Sequence, residues 1–131
     1  MSHFTKVATK INDLVALKKA LDQLGWKYKS AEQGVEVRGW RGQLSKAEIA
    51  IDMGKYDVGV VKQADGTYSL EADWWGVETT KGLKEEEVVN ELNAKYAYQR
   101  VVAAVEEQGY TIDENAVQKD GSVKLTVSKW G

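Results

Sequence analysis

The sequence predicts an α+β fold: one domain over residues 1–131, an antiparallel sheet of short strands covered on one face by two main helices. Three observations predict it. Two segments, residues 12–25 and 83–108, carry apolar residues at helical spacing. Around them run short stretches in which apolar and polar residues alternate, separated by glycine and Asp-Gly turns. The 131 residues, 43% apolar and 29% charged, are enough to bury roughly two-thirds of the unfolded surface in one core.

In order along the chain, HFTKVATKI reads as a strand rich in β-branched residues. NDLVALKKALDQLG follows as a helix, with Leu14, Leu17, Leu21 and Leu24 on one side and Lys18, Lys19 and Asp22 on the other. Asn12 or Asp13 can accept from its first free amides, and Gly25 can take the left-handed C-terminal cap. Trp26 is then expected to fold back onto the helix end. WKYKS and VEVR read as two short strands joined by the AEQG loop.

AEIAIDM, VGVV and TYSLEADWW form a three-strand meander, turned by GKYD and by ADG. Ala47, Ile49, Ile51 and Met53 oppose Glu48, Ala50 and Asp52. Tyr68, Leu70, Ala72 and Trp74 oppose Ser69, Glu71, Asp73 and Trp75. The helical segment from Leu83 to Gln108 has two apolar sides. Val88, Val89, Leu92 and Tyr96 cluster on one, and Tyr98, Val101, Val102 and Val105 nearly opposite. That pattern fits two helices with a break near Asn93, or one long helix buried on both flanks. A hairpin around Asp120-Gly121 ends the chain, with Val123, Leu125 and Val127 on one face. ALDQLGWKYK and AVEEQGYTID are both a helix end, a glycine, an aromatic residue and a strand, a faint internal duplication whose second strands end at Trp40 and Trp130.

Composition narrows the chemistry. Twenty acidic residues against 18 basic ones give a net charge of −2, which exerts no long-range pull on nucleic acid or anionic membrane, leaving only a local patch. With no cysteine there are no disulfides, thiolate metal sites or thiol nucleophiles. The single histidine, His3, lies at the start of the chain, and a Ser-His-Asp triad or imidazole metal site would have to use it. No apolar run approaches the roughly 18 residues of a membrane span, and MSHFTKVATK lacks a signal-peptide core. The chain is expected to start near Met1 and to stay in the compartment where it is made.

Four constellations carry what chemistry there is. In VRGWRGQ, Arg38 and Arg41 could fork onto a carboxylate or phosphate while Trp40 offers a stacking surface. The plain reading is a strand corner with Trp40 in the core and the arginines solvated. The loop has neither the spacing nor the ending of a phosphate-cradling motif. In DWWG, Trp74 and Trp75 on one strand must face opposite sides of the sheet. One is then left for a helix of the chain, or for a partner, to cover. The meander acids Glu48, Asp52, Asp57, Glu71 and Asp73 could share a proton or hold magnesium or calcium, or simply form a solvated face. NAKYAYQRV sets Tyr96 and Arg100 on one helix face and Tyr98 on another, suited to a helix–sheet seam or to an anionic partner.

SHFTKVATKINDLVALKKAL, VRGWRGQLSKAEIAI, ADWWG and NELNAKYAYQRV, taken in this order, resemble the hypothetical chloroplast reading frame thirty-five family. These are small proteins of cyanobacteria and some algal plastid genomes. The resemblance spans essentially the whole chain. Members carry a histidine soon after the AYAY-like position, where this chain has Gln99 and Arg100, so no role resting on that histidine transfers. The resemblance implies cyanobacterial cytoplasm or plastid stroma, and implies no reaction or cofactor.

The function expected is a non-catalytic protein-interaction module, an assembly or regulatory factor in a larger complex, with an unknown protein partner and no cofactor, metal or catalytic residues. Its contact residues are expected among Arg38, Trp40, Arg41, Trp74, Trp75, Tyr96, Tyr98 and Arg100. One alternative is single-stranded nucleic-acid binding through Arg38, Trp40 and Arg41, aided by Lys46. Another is a metal-dependent enzyme built on the meander carboxylates.

Overall fold

A computed structural model describes residues 4–39, 44–117 and 123–129. Its elements run β1 (Thr5–Ala8), α1 (Leu14–Leu24), β2 (Tyr28–Arg38), β3 (Leu44–Met53), β4 (Tyr56–Lys62), β5 (Tyr68–Ala72), α2 (Trp74–Lys81), α3 (Glu85–Glu107), β6 (Tyr110–Val117) and β7 (Val123–Lys129). The first five strands form one antiparallel sheet in the order β1-β5-β4-β3-β2. Among the described residues β6 and β7 pair only with each other, in a separate two-stranded sheet. The fold is α+β, with the predicted sheet divided into a large piece and a small one.

The core lies between the large sheet and its helices. Alternation sends Ile49, Ile51 and Met53 from β3, Val58 and Val60 from β4, and Tyr68, Leu70 and Ala72 from β5 into one cluster. Leu17, Ala20 and Leu21 of α1, Trp74 and Val77 of α2, and Val88 and Leu92 of α3 close over it. Three helices cover this face, the two main ones expected and the short α2. Burial of the Leu, Ile and Val side chains contributes about 1.5–3 kcal/mol apiece.

α1 forms as its sequence dictates. Asp13 caps it, its Oδ1 accepting from the amides of Val15 at 3.0 Å and Ala16 at 3.2 Å. Gly25 turns left-handed at φ 74°, and the amides of Gly25 and Trp26 donate back to the carbonyls of Asp22 and Leu21. Trp26 therefore folds onto the helix end and joins the core edge, as expected.

The stretch read as two strands joined by AEQG is a single 11-residue strand, β2. It pairs with β3 on both sides of a shift of register between Ser30 and Val35. Over that interval β2 advances five residues, from Ser30 to Val35, while β3 advances two, from Ile49 to Ala47. The surplus is taken up in a bulge containing Gly34 at φ 92°. A bulge bends its strand, and here it carries the end of β2 over the sheet face that the helices leave open. Val37, Ala47 and Ala50 are buried there in a second small cluster, with Phe4, Val35 and Val61 against it. Gly59 of β4 is what lets β2 come so close: a Cβ on it would lie 2.9 Å from Val37 Cγ2.

The segment TYSLEADWW is also corrected. β5 ends at Ala72, and Trp74 and Trp75 begin α2. Asp73 stops the strand by capping the helix, its Oδ1 accepting from the Gly76 amide at 2.9 Å. The following helical segment is one unbroken helix of 23 residues, without a break at Asn93. Glu85, Glu86 and Glu87 fill its first turn, where carboxylates meet the positive end of the helix dipole. Its two apolar sides are unequal: Val88 and Leu92 are buried, whereas Val101 is half exposed and Val102 and Val105 are only partly covered.

Candidate interaction surface

Of the expected contact residues, Trp40 and Arg41 lie outside the described residues, as does the Asp120-Gly121 turn. Arg38 does not stand free. Carried over β4 by the bent end of β2, its amide donates to Asp57 Oδ2 at 2.9 Å and its Nη2 to Asp57 Oδ1 at 2.7 Å. Nε lies 3.1 Å from both Asp57 oxygens, and Nη2 reaches Asp52 Oδ1 at 3.0 Å. Asp57 is 1% exposed, so a buried carboxylate is satisfied by a forked cation. The hydrogen bonds to Asp57 hold the Arg38 guanidinium above its ordinary pKa. Asp52 is held below the usual carboxylate range, first by the Gly54 amide and then, against burial, by Arg38.

The other meander acids serve local structure. Glu48 Oε2 accepts from the Lys62 amide at 2.9 Å, Glu71 sits 3.4 Å from the Ser69 hydroxyl, and Asp73 caps α2. Among the described residues no three His, Asp or Glu side chains gather where a metal could be held.

Trp74 and Trp75 separate sharply because they start a helix. Trp74 turns into the core, 8% exposed, and its Nε1 donates to the Thr5 carbonyl at 3.2 Å, tying α2 to β1. Trp75 points outward and is 61% exposed. Val15 and Val101 are the other large apolar side chains left in solvent among the described residues.

Tyr96 and Arg100 meet at one partner that the sequence marked only as a candidate helix cap, Asn12. Its amide donates to the Tyr96 hydroxyl at 3.1 Å, and that hydroxyl donates to Asn12 Oδ1 at 3.2 Å. Arg100 Nη1 donates to the same Oδ1 at 3.1 Å and lies 3.6 Å from Asp13 Oδ2. The only signal in the sequence was the adjacent pair Asn12-Asp13, of which helix capping needs one member. The network pins the start of α1 to the middle of α3. Beside it opens a cavity of about 790 Å³, lined by Ala8, Thr9, Lys10 and Ile11 on one wall and Asn93, Tyr96, Ala97 and Arg100 on the other. Tyr98, on another face of α3, is partly buried.

These features define an α+β domain with an exposed indole, a groove with a basic rim, and carboxylates already engaged by its own amides and arginine. The chain belongs to the family described as "Protein of unknown function (DUF1257)", whose model matches residues 20–126. It is similar to the uncharacterized protein ycf35 of Pyropia yezoensis, 34% identical over 99% of this chain and 98% of the relative. It is likewise similar to the proteins of that name from Cyanophora paradoxa, at 34%, and Guillardia theta, at 31%, each over 99% of this chain and 98% of the relative. The uncharacterised family is thus one of plastid genomes, as the resemblance implied. No solved structure matches the chain. Among the described residues no helix is long and apolar enough to cross a membrane.

Proposed function

We propose that this protein is a non-catalytic interaction module, docking onto a protein partner as an assembly or regulatory factor in the plastid stroma or the cyanobacterial cytoplasm. The observation that carries the reading is Trp75, 61% exposed on α2 while the adjacent Trp74 is buried. A large rigid ring held on a capped helix loses little conformational entropy on binding, which is why tryptophan so often anchors interfaces. The nucleic-acid reading is weaker because Arg38, its first cation, is spent on Asp57 and Asp52. The metal-enzyme reading is weaker because the carboxylates it needs are engaged one by one in caps, amide contacts and the Arg38 pair.

The test is affinity capture by the immobilised chain from an extract of its host, read by mass spectrometry. A specific partner is expected on the parent and, after Trp75→Ala, a loss of at least tenfold with an unchanged melting temperature. Trp40→Ala tests that residue in the same way. If both variants retain the same proteins in the same amounts, these surfaces do not bind the partner.

A further inference from the structure

β1 is the outermost strand of the large sheet, paired with β5 on one side and with no strand on the other among the described residues. The groove begins at its last residue, Ala8, and continues along Thr9–Ile11 with α3 as the facing wall. Its lining includes two cations, Lys10 and Arg100, and no carboxylate. The exposed Ala8 and Ala97 keep it wide, and the Tyr96 ring is fixed by the bonds of its hydroxyl to Asn12. Arg100 is likewise preset: Nη1 is anchored to Asn12 and lies 3.6 Å from the half-exposed Asp13 carboxylate, while Nη2 and Nε take no partner among the described residues and face the incoming acid. An open strand edge offers backbone donors and acceptors to an extended chain. A facing helix with small residues leaves room for its side chains, and a basic rim selects acids.

We propose that this groove docks an acidic, extended peptide segment of a protein partner. The segment pairs along the free edge of β1, sets apolar side chains against Tyr96 and Ala97, and places carboxylates on Lys10 and Arg100. The proposal rests on the interaction reading and names a second contact, distinct from Trp75. A second copy of the chain is a poor occupant, because joining two β1 edges would crowd Lys6 and Lys10 of both copies along one seam. At four residues the edge is also too short to recruit another sheet unaided.

The experiment selects a displayed library of random eight-residue peptides on the immobilised full chain. The same selection is run on three variants of unchanged circular dichroism: Lys10→Glu, Ala97→Trp and Trp75→Ala. Ala97→Trp fills the groove while leaving the Asn12 network in place. The expected peptides interleave two or more acids with aliphatic or aromatic residues. Their affinity should fall at least tenfold in Lys10→Glu and in Ala97→Trp and stay unchanged in Trp75→Ala. In two-dimensional NMR they should shift the amides of residues 5–10 and 93–100. The proposal is overturned by no enrichment above background, by enrichment of neutral or basic peptides, or by acidic peptides that bind both groove variants as well as the parent. Peptides that need Trp75 but not the groove would overturn it while leaving the interaction reading standing. A dimer in sedimentation that Ala97→Trp dissociates would give the groove to a second copy and overturn it as well.

Discussion

Arg38 illustrates how a residue that looks like a ligand-binding cation can be committed to its own fold. Its side chain is 43% exposed, yet the carboxylate it grips is almost wholly enclosed. Removing one partner of a buried pair strands the other, at a cost of about 3–5 kcal/mol. Arg38→Met should therefore destabilise the chain by that order in urea denaturation, whereas Arg38→Met with Asp57→Leu should cost less than the sum of the two single changes. Additive losses would show that the pair is not coupled. The same cluster responds to acid. Asp52 has a folded pKa below its unfolded value, so its stabilisation is fully present above about pH 4, the ordinary carboxylate range, and is lost as pH falls through the lower folded pKa. In Arg38→Met that dependence flattens but does not vanish, since the Gly54 amide still holds Asp52.

At the scale of elements, the least expected feature is α2, and its cause lies in three residues. Asp73 ends β5 by capping, Trp74 leaves the sheet for the core, and Gly76 gives the Tyr56 ring a seat. A Cβ at Gly76 would stand 2.6 Å from the Tyr56 ring. Alanine ordinarily favours a helix over glycine by about 1 kcal/mol, but overpacking of a filled site costs about 1–3 kcal/mol, and the contact here is severe. Gly76→Ala should thus lower the melting temperature, and Gly76→Ala with Tyr56→Leu should recover part of the loss. A more stable Gly76→Ala would mean that the ring moves aside freely. The bulge in β2 is an element-scale device of the same kind. It turns the end of an edge strand over the sheet, so Arg38 of β2 reaches Asp57 of β4 although β3 lies between them.

Over the whole molecule, stability is unevenly spread. The large sheet and three helices enclose the main core, while the β6–β7 hairpin is joined to them through the second half of α3. In that part Tyr110, Ile112, Leu125 and Val127 are only partly covered, as are Val102 and Val105 of α3. A two-stranded hairpin is marginal by itself, so its amides should exchange hydrogen through smaller openings than those of β3 and β4. Native-state exchange is expected to show the β6 and β7 amides opening at least about 2 kcal/mol more easily than the central strands, equivalent to more than a tenfold difference in protection. Equal protection would mean that the hairpin and sheet unfold together. The faint duplication does not carry through: the two strands read after α1 are one strand, β2, whereas α3 is followed by two, β6 and β7.

Much of this was legible in the chain. Leucine spacing, Asp13 and Gly25 specified α1, turn signals bounded β4, and alternation specified β5 up to Ala72 and β3 from Ile49 on, though not at Ala47, which is buried with Ala50 instead; each depends on neighbours within a few residues. Even so, DWW reads equally well as strand or helix start, and only its approach to Thr5 and Tyr56 decides between them. The meander acids and Arg38 could not be paired without the register of three strands, nor could Tyr96 and Arg100 be joined to Asn12, more than 80 residues away. The sequence by itself determined the fold class, the kinds of elements and the family, which follow from local pattern and composition. Tertiary structure alone decided which cations are spent internally, which indole meets solvent and where the groove lies, since those depend on distances between segments that local periodicity does not encode.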